Sequence, residues 1–480
     1  MNKLRSLPVW AWLFLLALVL RLVPVLVSPD LPIGLTDMFQ YDMLARSIVA
    51  GNGYRWYAQE DVDLIRETVG GDFPIDFDVE GYDPRGVETS FRGPGYPAFL
   101  ALIYSFSAPE WRFFAARLVQ AFIGAALAPL TYLLARRLFP KREDLARFAG
   151  LAIAVYPMLI IFPLALATEQ IFIPLTLAGL LLLLHASETG RRRHYLLAGF
   201  IFGYATLTRS VIFIFVTFAM LWILLAARQP RGALFFTAAV VVMVLPWTVR
   251  NSLLYGELTF VENSLGYNLH MGFHPQGTGT FQYGISLELV PYLDDGVRND
   301  LGTEAGLRFL RENPEHAVQV TVNKLGYFFG LERRALTYFY SNGFFGYIPT
   351  IPLLGLALLF VLPFPILTTL AATAIPFVRL NKDRLPLFLL IGGYLLPHTL
   401  ILAEDRFHLT LLPAFAVLAG YAWCSRRQLW AAAKANRIQL ALAVLLVALL
   451  WANWAGELWR DADKLGLLFG PEGNRAGFSY

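Results

Sequence analysis

The sequence predicts an all-α polytopic membrane protein: a bundle of about eleven transmembrane helices (roughly 9–13), with two external loop regions that carry amphipathic interfacial helices. Three observations predict it. Of the 480 residues, 57% are hydrophobic and only 15% charged, whereas a soluble globular chain carries roughly 25% charged residues. Mean hydropathy is accordingly positive. Apolar runs near the ~20 residues needed to cross a bilayer recur from one end to the other. The basic residues, finally, fall in clusters that alternate with those runs.

Taken in order, the candidate spans are 8–28, 112–138, 147–165, 168–186, 195–208, 210–227, 232–248, 349–378, 386–403, 407–424 and 436–456. The first follows Lys3 and Arg5 and resembles a signal peptide. Its length, and the lack of a small-x-small cleavage site, read as a retained span. Further clusters lie at Arg136–Arg147, Arg191–Arg193, Arg228 with Arg231, Arg379–Arg384, and Arg426 to Arg437. Eleven crossings put all of these on one face, which the positive-inside rule assigns to the cytoplasm, with the N-terminus there too. The expected location is the plasma membrane.

Residues 29–111 and 249–348 then become two external loops within a single membrane domain, and 425–480 the last span and tail. Both loops are too rich in Gly, Asp, Tyr and Asn to lie in lipid. Met38, Tyr41, Leu44, Ala45 and Ile48 recur at helical spacing and predict an amphipathic helix over 37–50, lying in the interface and capped by Thr36 or Asp37. Residues 51–90 read as an irregular acidic loop, and 95–106 as apolar but too short to cross. A second amphipathic helix is expected over 302–330, interrupted near Asn313-Pro314.

Composition excludes several functions. No basic run interleaved with aromatics points to nucleic acid. The lone Cys424 excludes an intrachain disulfide and a multi-cysteine metal site. His270 and His274 have a metal-binding spacing on a helix, but Gly272 and Pro275 argue against a helix through both. The sequence places no third ligand, so no metal site is expected; a divalent ion remains conceivable without support. The aromatics Tyr96, Tyr267, Tyr338, Phe339 and Tyr340 suit stacking on sugar or isoprenoid, or equally an interfacial belt.

Acids and arginines gather on the external side, and their order carries a resemblance. Asp37-x-x-x-Tyr41 is followed by Ala45-Arg46 and Gly51-Asn-Gly-Tyr54, then by Phe91-Arg92-Gly-Pro94-Gly-Tyr96-Pro97. Thr168-Glu169, Leu207-Thr-Arg209 and Pro246-Trp247-Thr-Val-Arg250-Asn251 come next, followed by Gly266-Tyr267-Asn268-Leu269, Gly272 and Glu404-Asp405-Arg406-Phe407. This series resembles the GT-C superfamily of integral-membrane glycosyltransferases, in the branch of protein O-mannosyltransferases and the lipid A aminoarabinose transferase. The resemblance implies a GT-C-like fold and a polyprenyl-phosphate-linked sugar as donor. It also implies inverting transfer, on the non-cytoplasmic face, to an acceptor protein, lipid or glycan. It maps the catalytic carboxylate onto Asp37 and a donor-phosphate cation onto Arg92. Many relatives carry an acid directly after the first Asp, where this chain has Met38.

The residues themselves leave choices open. Arg209 and Glu169, as intramembrane charges, suit either function or snorkelling to the interface, Arg209 as a phosphate ligand and Glu169 as a weaker substrate contact. Arg406 suits phosphate or neutralisation of Glu404 and Asp405, and Arg92 suits phosphate or an ion pair with the acids of 60–88. Asp42 suits an acceptor contact or a solvated face, and Arg250 with Asn251 a topological anchor. Tyr41, Tyr96, Tyr267 and Asn268 are weaker substrate contacts. A transporter or flippase of lipid-linked sugars would need polar residues through the midplane, and an O-antigen ligase or polymerase an arginine-rich outer loop. Neither fits as well.

Overall fold

The computed structural model describes residues 7–69, 75, 77, 82–333 and 348–470. Each of the eleven predicted segments is helical. Among the described residues, seven helices are long and apolar enough to cross a membrane: Val9–Val27 (α1), Pro109–Leu138, Glu169–Thr189, Pro230–Tyr255, Thr350–Phe377, Asp405–Cys424 and Arg437–Arg460. An eighth candidate, Glu143–Ala154 with Pro157–Leu164, is bent by 52°. The remaining three, Arg192–Thr208, Phe213–Leu225 and Leu385–Leu400, are shorter. Large apolar side chains such as Phe122, Val242, Leu253, Ile351 and Trp451 face outward from these helices. A surface of that kind is stable against lipid and not against water, so the chain is a multi-pass membrane protein.

The bend at residue 155 has a local cause. Pro157 lacks an N–H and bars its predecessor from continuing the helix, which leaves the last carbonyls of Glu143–Ala154 without partners. Arg21, fully buried in α1, reaches across to them. Its Nη1 donates to the Ala154 carbonyl at 3.1 Å and its Nη2 to that of Ile153 at 3.2 Å. Arg192–Thr208 and Pro230–Tyr255 approach through small residues, as membrane helices commonly do. A Cβ on Gly199 would stand 2.4 Å from the Phe236 carbonyl oxygen.

The first loop folds on its own small core. The helix expected over 37–50 is Asp37–Val49 (α2), with Thr36 at its N-cap position but no side-chain capping bond. It does not lie flat in an interface: Tyr41, Asp42, Met43, Leu44 and Ala45 are buried. The described residues of 51–90 hold regular elements that an irregular loop lacks. They contain a two-residue antiparallel ladder, Arg55–Trp56 (β1) with Val87–Glu88 (β2), and the helix Gln59–Val69 (α3). Phe39, Leu44, Trp56, Val62, Ile65 and Phe91 pack together between them. The apolar stretch at 95 is the helix Gly95–Tyr104 (α4).

The second loop starts later than expected, because the helix from Pro230 runs on to Tyr255 and stops at left-handed Gly256. Beyond it come Leu265–Gly272 (α5), Tyr283–Ser286 (α6), Asp295–Glu312 (α7) and Pro314–Phe328 (α8). The interruption falls at Asn313, as predicted. Tyr338, Phe339 and Tyr340, like Lys3 and Arg5, lie outside the described residues.

Replacing Arg21 by Met leaves two buried carbonyls unpaired, at a cost of roughly 1–3 kcal/mol each. The expected outcome is a lowered unfolding midpoint in detergent for Arg21→Met, with little change for Arg21→Lys, which retains a donor.

Candidate active site

The start of α2 places Asp37 where two other segments meet. Arg92, in the turn between β2 and α4, donates from Nη2 to Asp37 Oδ1 at 2.5 Å and from Nε to Gln40 Oε1 at 2.9 Å. Arg406 comes from the short 3-10 segment Asp405–Leu411, and its Nη2 donates to Asp37 Oδ2 at 2.9 Å. Each carboxylate oxygen thus has its own guanidinium. Arg406 also forms an ion pair with Glu404 at 3.0 Å. Side-chain exposure is 31% for Asp37, 24% for Arg92 and 34% for Arg406, so the cluster keeps an open side for a ligand.

Electrostatics follow from this geometry. Burial pushes the Asp37 carboxyl up, but the charges of Arg92 and Arg406, with a smaller contribution from Arg209, outweigh it and hold the group well below the usual carboxylate range. Burial lowers the Arg92 guanidinium; the Asp37 charge more than reverses that and raises it. Tyr41, one turn along α2, is pushed up to about 12, chiefly by burial, and so remains a neutral phenol.

A second pair lies beside the first. Arg209 Nη1 donates to Glu169 Oε1 at 2.5 Å and to Thr168 Oγ1 at 3.1 Å. The ring of Phe407 links the two pairs, with the Arg209 guanidinium 5.1 Å and the Arg406 guanidinium 5.8 Å from its centroid. Arg209 therefore does not snorkel away, and Glu169 is buried against it.

How Arg92 is aimed explains the Phe91-Arg-Gly-Pro-Gly sequence. A Cβ on Gly93 would stand 2.5 Å from the Leu207 carbonyl oxygen, and one on Gly95 2.5 Å from Thr208 Oγ1. Only glycine lets this turn lie against the end of the helix that leads to Arg209. Tyr54 fixes the turn from the other side, its hydroxyl donating to the Arg92 carbonyl at 2.8 Å. Buried Asp295, at the start of α7, accepts from Thr89 Oγ1 at 2.5 Å, Ser90 N at 2.9 Å and Phe91 N at 3.1 Å. Arg298 balances it at 3.0 Å.

The other predicted residues divide. Asp42 faces neither solvent nor the cluster. It is 1% exposed, with Arg46 on Oδ2 at 2.8 Å and Arg112 on Oδ1 at 2.9 Å. It pins α2 to the helix that begins at Arg112, which leaves little room for an acceptor contact. Tyr96 is fully buried; its hydroxyl donates to Gln120 and its ring meets Tyr41 edge-on at 5.0 Å. Tyr41 in turn lies under the Arg92 guanidinium, 5.6 Å away. Tyr267 packs edge-on against Phe91 at 5.2 Å, and Asn268 is half-buried beside it on α5. Arg250 donates to the Thr89 carbonyl at 2.7 Å and Asn251 to the carbonyls of Phe260 and Val261, which makes both of them anchors. Among the described residues Arg92 does not pair with the acids of 60–88; of those, Glu60 and Asp61 are bound to Arg46.

Sequence reasoning missed Gln40 and Asp295. Gln40 stood one turn from Asp37 on the predicted helix, a visible signal. Asp295 reads locally as one of two acids opening a helix, and nothing nearby points to residues 89–91.

The sequence places no third ligand beside His270 and His274; the fold places one. α5 carries His270, the chain turns at Phe273, and Glu288 lies within reach of both rings.

Residues 92–249, about a third of the chain, match the family described as dolichyl-phosphate-mannose-protein mannosyltransferase. No curated protein sequence matches. The fold is similar to that of the Archaeoglobus fulgidus oligosaccharyltransferase in complex with Zn and sulfate. That comparison has a TM-score of 0.52 and 17% identity, and covers 98% of this chain and 59% of the other. AglB from the same organism, in complex with an inhibitory peptide and a dolichol-phosphate, gives 0.47 and 18%, over 98% and 61%. ArnT from Cupriavidus metallidurans bound to undecaprenyl phosphate gives 0.38 and 15%, over 87% and 78%. The chain spans about three fifths of the length of the archaeal proteins. The chain therefore has a fold similar to that of the Archaeoglobus fulgidus oligosaccharyltransferase, and over residues 92–249 it resembles the mannosyltransferase family in sequence.

Proposed function

We propose that the chain is an inverting glycosyltransferase. It moves a sugar from a polyprenyl-phosphate donor to an acceptor protein, lipid or glycan on the external face of the plasma membrane. One observation carries the reading: a carboxylate and two guanidiniums from three distant segments share a partly open cluster beside the membrane bundle. Phosphate is a better partner for two converging arginine forks than a single carboxylate is. The positive-inside placement of the basic clusters supports an external site and a cytoplasmic N-terminus.

In this mechanism Arg92 and Arg406 hold the donor phosphate and Arg209 adds positive charge behind them. Their withdrawal from Asp37 frees its oxygens for the acceptor. The acceptor oxygen attacks the anomeric carbon from the side opposite the phosphate, and its proton passes to Asp37. The bond from the anomeric carbon to the phosphate oxygen breaks, and polyprenyl phosphate leaves with the bonding electrons. A single displacement inverts the anomeric centre. A carboxylate clamped by two guanidiniums is a poor base, and a base works best with a pKa nearer the working pH. Donor binding thus both positions the phosphate and raises the basicity of Asp37.

Asp37→Asn is expected to lower kcat by about 10²–10⁴-fold, read as sugar transfer from a polyprenyl-phosphate donor by the purified protein in detergent. Full activity in this variant overturns the base assignment; wild-type protein that moves labelled lipid across vesicles without transferring sugar overturns the transferase. Arg92→Gln removes a charge-assisted contact of about 1.5–3 kcal/mol. It is expected to weaken polyprenyl-phosphate binding by roughly one to two orders of magnitude, measured by titration.

The acid limb of kcat/KM provides a third check. The free-enzyme carboxyl is depressed, so its ionised form persists below the ordinary Asp value of about 3.9, and activity is lost only as pH falls through that depressed value. Arg406→Gln removes one of the two positive neighbours, the carboxyl rises, and the limb moves to higher pH. An unmoved limb shows that another group sets it.

A further inference from the structure

The second loop holds a cluster that the transfer reaction does not use. His270 lies on the last turn of α5. A turn at His274–Gly277, closed by the Gly277 N–H on the His274 carbonyl at 2.9 Å, brings the two imidazoles edge-on, 4.9 Å apart at 81°. Glu288 follows α6. Its Oε2 lies 3.1 Å from His270 Nε2 and 3.3 Å from His274 Nε2. The three ligand atoms all lie within 4.8 Å of one another, and no other such group occurs among the described residues.

We propose that His270, His274 and Glu288 form a divalent-metal site of the zinc type that staples the second loop. A tetrahedral ion with bonds of about 2.0–2.2 Å separates its ligands by roughly 3.3–3.6 Å, close to the two distances from Glu288. Two imidazoles and one carboxylate favour zinc over magnesium or calcium, which prefer all-oxygen shells. Three protein ligands leave a fourth position for water, and Glu288 is 49% exposed, so an ion has a path in. The competing reading is a metal-free clamp in which both rings donate to one carboxylate. In that state the Gln276 N–H bonds His274 Nδ1 at 3.2 Å, which places the ring proton on Nε2. A metal on Nε2 moves that proton to Nδ1 and displaces the Gln276 contact, so the 274–277 turn shifts on binding.

The consequence reaches toward the active site. Tyr267 is on α5 and packs on Phe91, and the Phe91 ring lies 5.1 Å from the Arg92 guanidinium. An ion that ties α5 to residue 288 thereby steadies the surface behind Arg92. The role is structural, and the test does not depend on catalysis.

The full chain, purified in detergent and stripped with a chelator, is titrated with Zn²⁺ alone. One equivalent per chain is expected, with binding at least tenfold weaker in His274→Ala and Glu288→Gln. Zinc is expected to slow hydrogen exchange over 265–290 in the wild type and not in Glu288→Gln. Absence of stoichiometric binding, or equal binding in wild type and Glu288→Gln, overturns the site. If His274→Ala fails to fold, the half-exposed Glu288 position carries the comparison.

Discussion

Two guanidiniums close on the single carboxylate at the start of α2, one arriving from 55 residues away and the other from 369. In a membrane bundle such a contact does more than lower a local energy. Its partners come from the first loop and from the segment that enters one of the last spans, so it ties the two ends of the chain at one point. Truncating any one partner leaves uncompensated charge, and each of the three is at most about a third exposed. Breaking a buried pair costs more than the pair contributes. The geometry therefore persists until something equally charged replaces a partner.

The surroundings are built to hold that geometry. Asp295 gathers the amides of residues 90 and 91, Tyr54 takes the Arg92 carbonyl, and Gly93 and Gly95 admit the neighbouring helix end. Asp42 performs the matching task for α2 through Arg46 and Arg112. Asp295, Asp42, Arg46 and Arg112 thus help keep Arg92 and Asp37 in place. This division is the usual one for preorganised electrostatics, where the reacting groups must already be aimed when charge develops.

Much of this was legible in the sequence, for physical reasons that also mark where legibility stops. Lipid demands about 20 apolar residues per crossing, so the helical segments announce themselves. Their exact number of crossings does not follow, because segments such as 210–227 and 386–403 form helices shorter than that. Proline marked the break at 313, since its effect is local. Partner choice is not local. Arg46 lay four residues from Asp42 and could be seen, whereas Arg112 lay 70 away and could not. Glu288 joins His270 and His274 only because the chain turns at Phe273, and Asp295 looked like a helix-opening acid until the fold brought residues 89–91 to it.

The charge balance explains why an ion cluster of this kind suits the proposed transfer. Arg92, Arg209 and Arg406 face Asp37, Glu169 and Glu404, so the ligand-free cluster is neutral. In the proposed transfer a sugar phosphodiester would enter with one negative charge beside an ionised Asp37. Afterwards the lipid phosphate would carry two, and Asp37, having taken the acceptor proton, none. The total is unchanged; one unit of negative charge has moved from the carboxylate to the phosphate between the same two arginines. On this mechanism the arginines have already moved to the phosphate when donor binds, so they need not reorganise while the bond breaks, and that saving lowers the barrier. On the same proposal, loss of the proton from Asp37 would restore a competing carboxylate, draw Arg92 and Arg406 back and weaken their hold on the lipid phosphate. The Asp37–Arg92–Arg406 contact would then also favour release of the product.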